Sequence, residues 1–347
     1  MLHTRALTLL LCGTLIALAG CPAENNDSTP DDASMDSGDG LKDVPADADA
    51  SPDLQADVPG DDTEDEGEED DSGDASTGQR TALRLGSWNA NRLDADLNAG
   101  TVKRTADEVA LLKSYADKMN ADVIALQEVD GDQAAARLFD PAAFEFHFTS
   151  RNSSERVGFA YKKGLSVTKH PDVTSIQHGN NLRWGADITL TREDGSTIRM
   201  LNVHLKSRCW STPEGGTPPS FEDANSCETL KKQGQSIDAW IEARRAASEP
   251  FVVVGDFNHN FIADDTFWTR FWADDATQDL NSPTFTETSR CYAQFPNYIE
   301  HIVMSPEVWS QLEPGSFEQT TFSTEDLNAS GDILSDHCPM ALELQGE

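Results

Sequence analysis

The chain has 347 residues, of which 61 are Asp or Glu and 26 are Lys or Arg, for a net charge of −35. So acidic a polymer repels polyanions at long range, which excludes nucleic-acid binding by a global field and leaves only local basic groups and a metal to hold a phosphate chain. Composition also changes sharply along the chain, so only part of its length can form a core.

Residues 1–21 read MLHTRALTLLLCGTLIALAGC. Arg5 precedes an apolar run from Ala6 to Ala19 that is too short for a typical spanning helix and has the shape of a secretory signal. Its end, LAGC at Leu18–Cys21, resembles the bacterial lipobox. That resemblance implies cleavage before Cys21 and a lipid on Cys21, hence an exported lipoprotein anchored in the cell envelope and facing the periplasm or the surface. An ordinary signal peptide with a chance cysteine is the alternative. Residues 22–80 carry 21 acidic residues against Lys42 and Arg80, among many Ser, Pro, Gly and Ala. This stretch has too little apolar surface to offset the entropy of ordering, so it reads as an acidic disordered tether, extended by self-repulsion. It contains no calcium-loop spacing.

The remaining residues, 81–347, are enough for one large core or two small ones, and they carry 40 acidic against 23 basic side chains. LRLGSWNAN (Leu83–Asn91) alternates and reads as a strand ending in an Asn-rich loop. Thr101–Asn120 places Val102, Ala106, Val109, Leu112, Ala116 and Met119 three and four apart, the period of an amphipathic helix. DVIALQEV (Asp122–Val129) is a second core strand, and FEFHF and RVGFAYKK are two more. WGADITLT and STIRMLNVHLK flank REDG as a hairpin. A loop over Ser207–Ser226 leads to a helix in ETLKKQGQSIDAWIEARRAA, with Leu230, Ile237, Trp240 and Ile241 on one face. FVVV then opens a strand that breaks at Gly255 in FVVVGDFNHN. FWTRFWADDA reads as a short helix, and NYIEHIVMS and CPMALEL as late strands. Strands outnumber helices in an order that suits two face-to-face sheets with helices outside.

Four cysteines remain here, Cys209, Cys227, Cys291 and Cys338. An even count in an exported chain points to disulfides, and the long uneven spacing without C-x-x-C argues against zinc. Cys209–Cys227 would close a Pro- and Gly-rich loop that nothing else orders. Cys291–Cys338 is the remaining pair.

Chemistry collects where strands end: Asn89 in SWNAN, Glu128 in IALQEV, His204 in LNVHLKS, Asp256 and Asn258 in VGDFN, Glu300 in YIEHIVM, Asp336 and His337 in LSDHCP. Each alone has a bland reading. Glu128 can cap a turn, although a carboxylate at a core rim needs a partner or a metal. His204 alternates against Leu201, Val203 and Leu205 and so faces away from the apolar side, where a lone histidine is more often structural. Asp336–His337 can be a turn. Trp184, Trp210 and Trp240 read as packing.

Taken in order, these segments resemble the endonuclease/exonuclease/phosphatase superfamily: a strand ending in Asn, a QE strand, an H strand, GDFN, an IDHI-like strand and a terminal SDH, spread over Leu83–Leu344. The resemblance implies an α/β fold, a four-layer α/β/β/α sandwich of two mixed, largely antiparallel sheets. It also implies metal-assisted phosphoester hydrolysis with Mg2+ or Mn2+. Carried over position by position, Glu128 is the main metal ligand with Asn89 beside it, and Asp336 binds or orients the ion. Asp256 orients or deprotonates the attacking water, Asn258 and His204 donate to phosphate oxygens, and His337 pairs with Glu300 in proton transfer. Glu300 stands where the family usually has Asp, which puts the alignment of that pair in question. Arg151, Arg156, Arg183, Lys206 and Arg208 are the nearby basic groups, with Arg183, Lys206 and Arg208 taken as substrate-binding. No long basic stripe suits a duplex groove. The expected partner is thus a phosphoester, nucleic acid among the options, and the expected state a monomer. A small-ester or lipid-headgroup phosphodiesterase or a phosphatase is the rival within the class, and an inert surface binding module the rival outside it.

Overall fold

The computed structural model describes residues 82–179, 181–209, 224–261, 280–285, 287–291, 298–323, 325–326 and 334–346, all within the unit Gly73–Glu347. The signal segment, Cys21, the acidic tether, Trp210 and FWTRFWADDA lie outside the described residues.

Eleven strands build two sheets among the described residues. The first has the order β10(Glu318–Gln319), β11(Met340–Leu344), β1(Leu83–Leu93), β2(Val123–Val129), β4(Arg156–Lys162), β3(Phe144–Phe148). The second has the order β5(Ser166–Lys169), β6(Ala186–Thr191), β7(Thr197–His204), β8(Phe251–Asp256), β9(Glu300–Met304). Each sheet contains one parallel pair, β1 with β2 and β7 with β8, and is otherwise antiparallel. A parallel neighbour needs a crossover, and a helix supplies each. Helix α1 (Ala106–Met119) joins β1 to β2, and α3 (Ala224–Ala246) joins β7 to β8; α2 (Gly131–Ala135) and α4 (Pro306–Trp309) are short.

Period-2 alternation then sorts side chains into three apolar layers. Leu83, Leu85, Val123 and Ala125 of the first sheet meet Ile188, Met200, Val252, Val254 and Ile302 of the second between the sheets. Trp88, Ile124 and Leu126 face outward onto Leu112, Tyr115 and Met119 of α1. Leu201, Val203, Phe251 and Val253 face outward onto Leu230, Ile237, Trp240 and Ile241 of α3. Helix, sheet, sheet, helix is the four-layer α/β/β/α arrangement. Each fully buried Leu, Val or Ile contributes on the order of 1.5–3 kcal/mol, so these layers carry the stability.

Local chemistry moves several boundaries. Helix α1 starts at Ala106, five residues later than its apolar spacing suggests, because Thr105 and Glu108 form a reciprocal capping box; Asn120, at φ 48°, ends it. Val102 therefore precedes the helix. Strand β1 continues past Asn91 to Leu93. The β6–β7 hairpin forms as its sequence predicts, with Arg192 donating to Ser196 O and Gly195 at φ 84° in the turn. The exposed edge strand β5 and the single-turn α2 have no strong periodic signal in sequence. Both cysteine pairs are bonded, Cys209–Cys227 and Cys291–Cys338. No helix of the described residues is long and apolar enough to cross a membrane.

Candidate active site

The polar residues gather at one end of the sandwich, on the inner faces of both sheets. In the second sheet the cross-strand register does this directly: His204 lies opposite Asp256, and Asp256 opposite Glu300, on three adjacent strands. Alternation along β8 puts Asp256 on the same face as Val252 and Val254, looking across to the first sheet.

Gly255 makes that strand end possible. Its φ is 136°, and a Cβ there would stand 2.1 Å from Val203 O and 2.8 Å from Asn202 Oδ1. Only glycine fits both the torsion and the space. The chain then turns sharply: Asn258, at φ 51°, donates its N–H to Asp256 Oδ1 at 2.8 Å, and its Nδ2 donates to Leu205 O at 3.2 Å.

In the first sheet, alternation alone would aim Glu128 the wrong way. Val123 and Ala125 face the inter-sheet core, so Glu128 should point outward with Ile124 and Leu126. Instead Glu128 adopts φ 56°, and the β2–β4 register shifts between Leu126 and Val129. This bulge sends Val129 into the outer core and turns the Glu128 carboxylate inward. There Asn89 Nδ2 donates to Asp256 Oδ2 at 3.0 Å and lies 3.4 Å from Glu128 Oε1. His204 Nε2 lies 3.7 Å from Glu128 Oε1 and 3.5 Å from Asp256 Oδ2.

His337 completes the cluster from the loop before β11. Its Nδ1 bonds Glu300 Oε1, and its Nε2 faces Asp256 Oδ2 at 3.7 Å and Asp336 Oδ1 at 3.8 Å. The extra methylene of Glu300 leaves the pair with His337 intact. Ser335 Oγ donates to Asn89 O at 2.8 Å and accepts from His337 N at 3.1 Å, tying the loop to β1. Trp88 Nε1 donates to His337 O.

Environment pushes the titratable groups apart. Burial, followed by repulsion from Asp336 and Glu155, raises Glu128 to about 7. Burial raises Asp256 to about 6, against the pull of the His337 charge and the hydrogen bonds from Asn89 and Asn258. His204 is driven well below the ordinary histidine range, by burial first and then by Arg183 and His337, and so is neutral at pH 7. Burial also opposes charge on His337, but Asp336, Glu300, Asp256 and the Glu300 hydrogen bond together outweigh it and keep the imidazolium. Glu300 is correspondingly held below its usual range: its burial is outweighed by the charge and hydrogen bond of His337. One end of the site thus holds a neutral imidazole and the other a charged one.

A divalent cation suits the Glu128 side. The raised Glu128 and the nearby Asp336 are acidic oxygen donors with an excess of negative charge. Among the described residues Asn89 Oδ1 accepts one hydrogen bond, from the Asn91 N–H at 3.0 Å, which leaves a lone pair. Among the described residues no group of three or more His, Cys, Asp or Glu side chains is arranged to hold a metal ion by itself, so Asn89 would have to complete the set.

The basic groups divide. Arg183 is 4% exposed, donates to Leu205 O at 2.8 Å and acts electrostatically on both Glu128 and His204. Lys206 is half-buried and adds to the field at His204. Arg208 is exposed at φ 71°, and no hydrogen bond or ion pair among the described residues joins it to the cluster. Arg156 faces Asp130 at 3.6 Å instead.

His204 differs from its sequence reading. Its face is opposite Leu201 and Val203, but β7 is buried on both sides, and that face shares the inter-sheet layer with Ile198 and Met200. Sequence also passes over Arg92, whose Nε lies 3.1 Å from Glu155 Oε1 and 3.9 Å from Glu128 Oε2. Arg104 is missed too; it is buried and donates to Ala90 O, Asn91 O and Leu334 O, holding β1 to the loop of Asp336. A buried arginine in a helix-entry segment has no periodic signature to announce it.

The sequence model of the Endonuclease/Exonuclease/phosphatase family matches residues 86–337. Among solved structures, truncated Caenorhabditis elegans TDP2 superposes with a TM-score of 0.55 at 15% identity, over 76% of this chain and 98% of that one. Danio rerio TDP2 complexed with a single-strand DNA product gives 0.53 at 16% identity, over 77% and 100%. An endonuclease/exonuclease/phosphatase from Bacteroides vulgatus gives 0.50 at 16%, over 77% and 100%. At these identities the likeness is one of fold. No curated protein sequence matches the chain.

Proposed function

Because the chain belongs to the Endonuclease/Exonuclease/phosphatase family and is a phosphoester hydrolase by that membership, we propose that it is an exported, metal-dependent phosphodiesterase acting as a nuclease. The observation that carries the reading is Asp256 as hub: Asn89, His204 and His337, from three separate segments, all direct a side-chain nitrogen at its Oδ2.

Asp256, near 6, is ionised at neutral pH yet basic enough to take a proton from an attacking water. Asn258 fixes that carboxylate through its backbone N–H. The neutral His204, the Asn258 carboxamide, of which one N–H is taken by Leu205 O, and the Arg183 guanidinium provide donors and positive field where negative charge develops on the phosphoryl oxygens. His337, kept charged by Glu300, donates from Nε2 on the same side as Asp256. Asn89, Glu128 and Asp336 would hold Mg2+ or Mn2+. Such an ion, when bound, polarises the phosphoryl oxygen as a Lewis acid.

For substrate, the acidic surface disfavours tight duplex binding, and Arg183 with Lys206 serve a single phosphate rather than a groove. The fold-related Danio rerio TDP2 was solved with a single-strand DNA product, which supports a nucleic acid here. Arg208 keeps a substrate role only at the exposed rim. Export follows from residues 1–21, with Cys21 as lipid anchor and 22–80 as tether to a monomeric domain over 81–347; two disulfides are compatible with that compartment.

The purified protein is incubated with Mg2+ or Mn2+ and with plasmid, single-stranded DNA or bis-p-nitrophenyl phosphate, with and without chelator. Chelator-sensitive cleavage of DNA is the expected result. Cleavage of the small ester alone makes it a small-substrate phosphodiesterase; no cleavage of any of the three rejects the phosphodiesterase, and p-nitrophenyl phosphate then separates a phosphatase from a binding module.

A further inference from the structure

The bulge at Glu128 needs something to hold it, and the second sheet provides it. Asn202 on β7 is fully buried. Its Nδ2 donates to Leu126 O at 2.9 Å and to Gly158 O at 2.6 Å; its Oδ1 accepts from Gln127 Nε2 at 2.8 Å. Leu126 and Gly158 are the last paired residues before the β2–β4 register breaks. Gln127 and Glu128 are the residues that the break displaces. One carboxamide therefore uses both its donor hydrogens and its oxygen at the point where the first sheet departs from regular pairing. The two carbonyls can only accept, so the orientation of the amide is set by its partners. Asn202 also lies two residues before His204 on the same face, so one strand carries both the clamp and a site residue.

We infer that Asn202 is a positioning residue: its carboxamide locks the β2 bulge and thereby keeps the Glu128 carboxylate turned inward against Asn89 and His204. Without it, Leu126 O and Gly158 O lose a buried donor, and the strained torsion at Glu128 loses its restraint. Regular pairing would send the carboxylate toward α1. The inference rests on the proposed role of Glu128 as metal ligand.

The test uses the full chain with Mn2+, binding being read by electron paramagnetic resonance without substrate and turnover being measured on the substrate that the screen identifies. Asn202→Ala is expected to weaken Mn2+ binding and lower kcat by about 10–100-fold, with KM changed by less than about threefold. Met200→Ala, two residues earlier on the same buried face, removes core volume without touching the bulge. It is expected to lower Tm at least as much while Mn2+ binding and kcat stay at wild type. Asn202→Asp keeps the shape without the Nδ2 donors; it is expected to behave like Asn202→Ala, and it carries the test if Asn202→Ala does not fold. If either Asn202 variant loses stability but keeps Mn2+ affinity and kcat within about threefold of wild type, the inference is overturned and Asn202 is only a staple between sheets. Glu128→Ala separates the two levels: silent Asn202 variants beside an inactive Glu128→Ala overturn the clamp alone, whereas a Glu128→Ala that also binds Mn2+ and turns over normally removes the reading of the site as well.

Discussion

His204 and His301 sit on strands that flank β8, and both are buried, yet they do opposite things. His204 faces the other sheet and meets Glu128 and Asp256. His301 follows Glu300 by one residue and so faces outward. Its Nδ1 bonds Thr284 Oγ1 at 2.6 Å and its Nε2 bonds His259 O at 2.9 Å, among Phe257, Phe261 and Tyr298. His259 repeats the pattern, with Nδ1 on Cys209 O at 2.7 Å. The hydrogen bonds described for the outer histidines go to neutral oxygens among aromatic rings, which suits a structural role. The inner ones face carboxylates, and His337 is partly exposed, which suits the reactive role proposed for them. Residue type is the same on both faces; the charge of the partner and access to solvent decide the role.

The sharpest way to break that contrast is His337→Ala. Loss of the charged inner imidazole is expected to reduce kcat by at least about 10³-fold per folded molecule, with Tm lowered because Glu300 loses its buried partner; a variant that keeps near-wild-type kcat would show that the inner cluster is no more catalytic than the outer one. The pH profile comes next. Asp256 must be ionised to act as base, and its folded value is raised to about 6, so kcat/KM is expected to fall about tenfold per unit as pH drops below that value. A rate that stays flat down to pH 5 contradicts the assignment of Asp256.

His301→Ala reverses the pattern. Two buried hydrogen bonds and an aromatic cage are lost, for about 2–4 kcal/mol of stability. Activity per folded molecule is expected to change by less than about tenfold, measured by denaturant melts alongside kinetics. The smallest effect expected is from Glu300→Asp, the residue usual in the family. The pair with His337 forms here with the longer side chain, so a shift in kcat of under about tenfold in either direction is expected. A collapse to the level of His337→Ala would mean that this backbone is built around Glu.

The stability of the apo site should move with pH in the sense opposite to that of most paired carboxylates. Glu128 is raised to about 7 when folded, so the proton is bound more tightly in the native state. That contribution is full below the unfolded value near 4.5 and is lost as pH rises through about 7. Glu128→Gln is therefore expected to raise Tm at pH 8 in chelator, with the gain vanishing toward pH 5.

Nine of the eleven strands and the polar residues at their ends were legible in the chain because each is a local pattern; the short edge strands β5 and β10 and the order of strands in each sheet were not. FVVV is apolar enough to be buried on both faces wherever it sits, and GDFN and SDH carry their residue types without reference to anything else. The two long helices were visible for the same reason, since a period near 3.6 is written within one segment. What escaped notice is non-local. Glu128 faces inward because of a bulge, and nothing in IALQEV alone states that Asn202, 74 positions later, will hold that bulge in place. Arg104 and Arg92 look like surface cations until the fold buries one and sets the other beside Glu155.

From sequence alone came most of the strands and both long helices, since periodicity depends on near neighbours along the chain, and a set of polar strand ends whose order resembles the family's motifs and so implies phosphoester chemistry. Tertiary structure decided which face each group takes, which imidazole is charged and which carboxylate is starved of partners. Those properties depend on backbone torsion, register between strands and burial, and each is set by residues far apart in sequence.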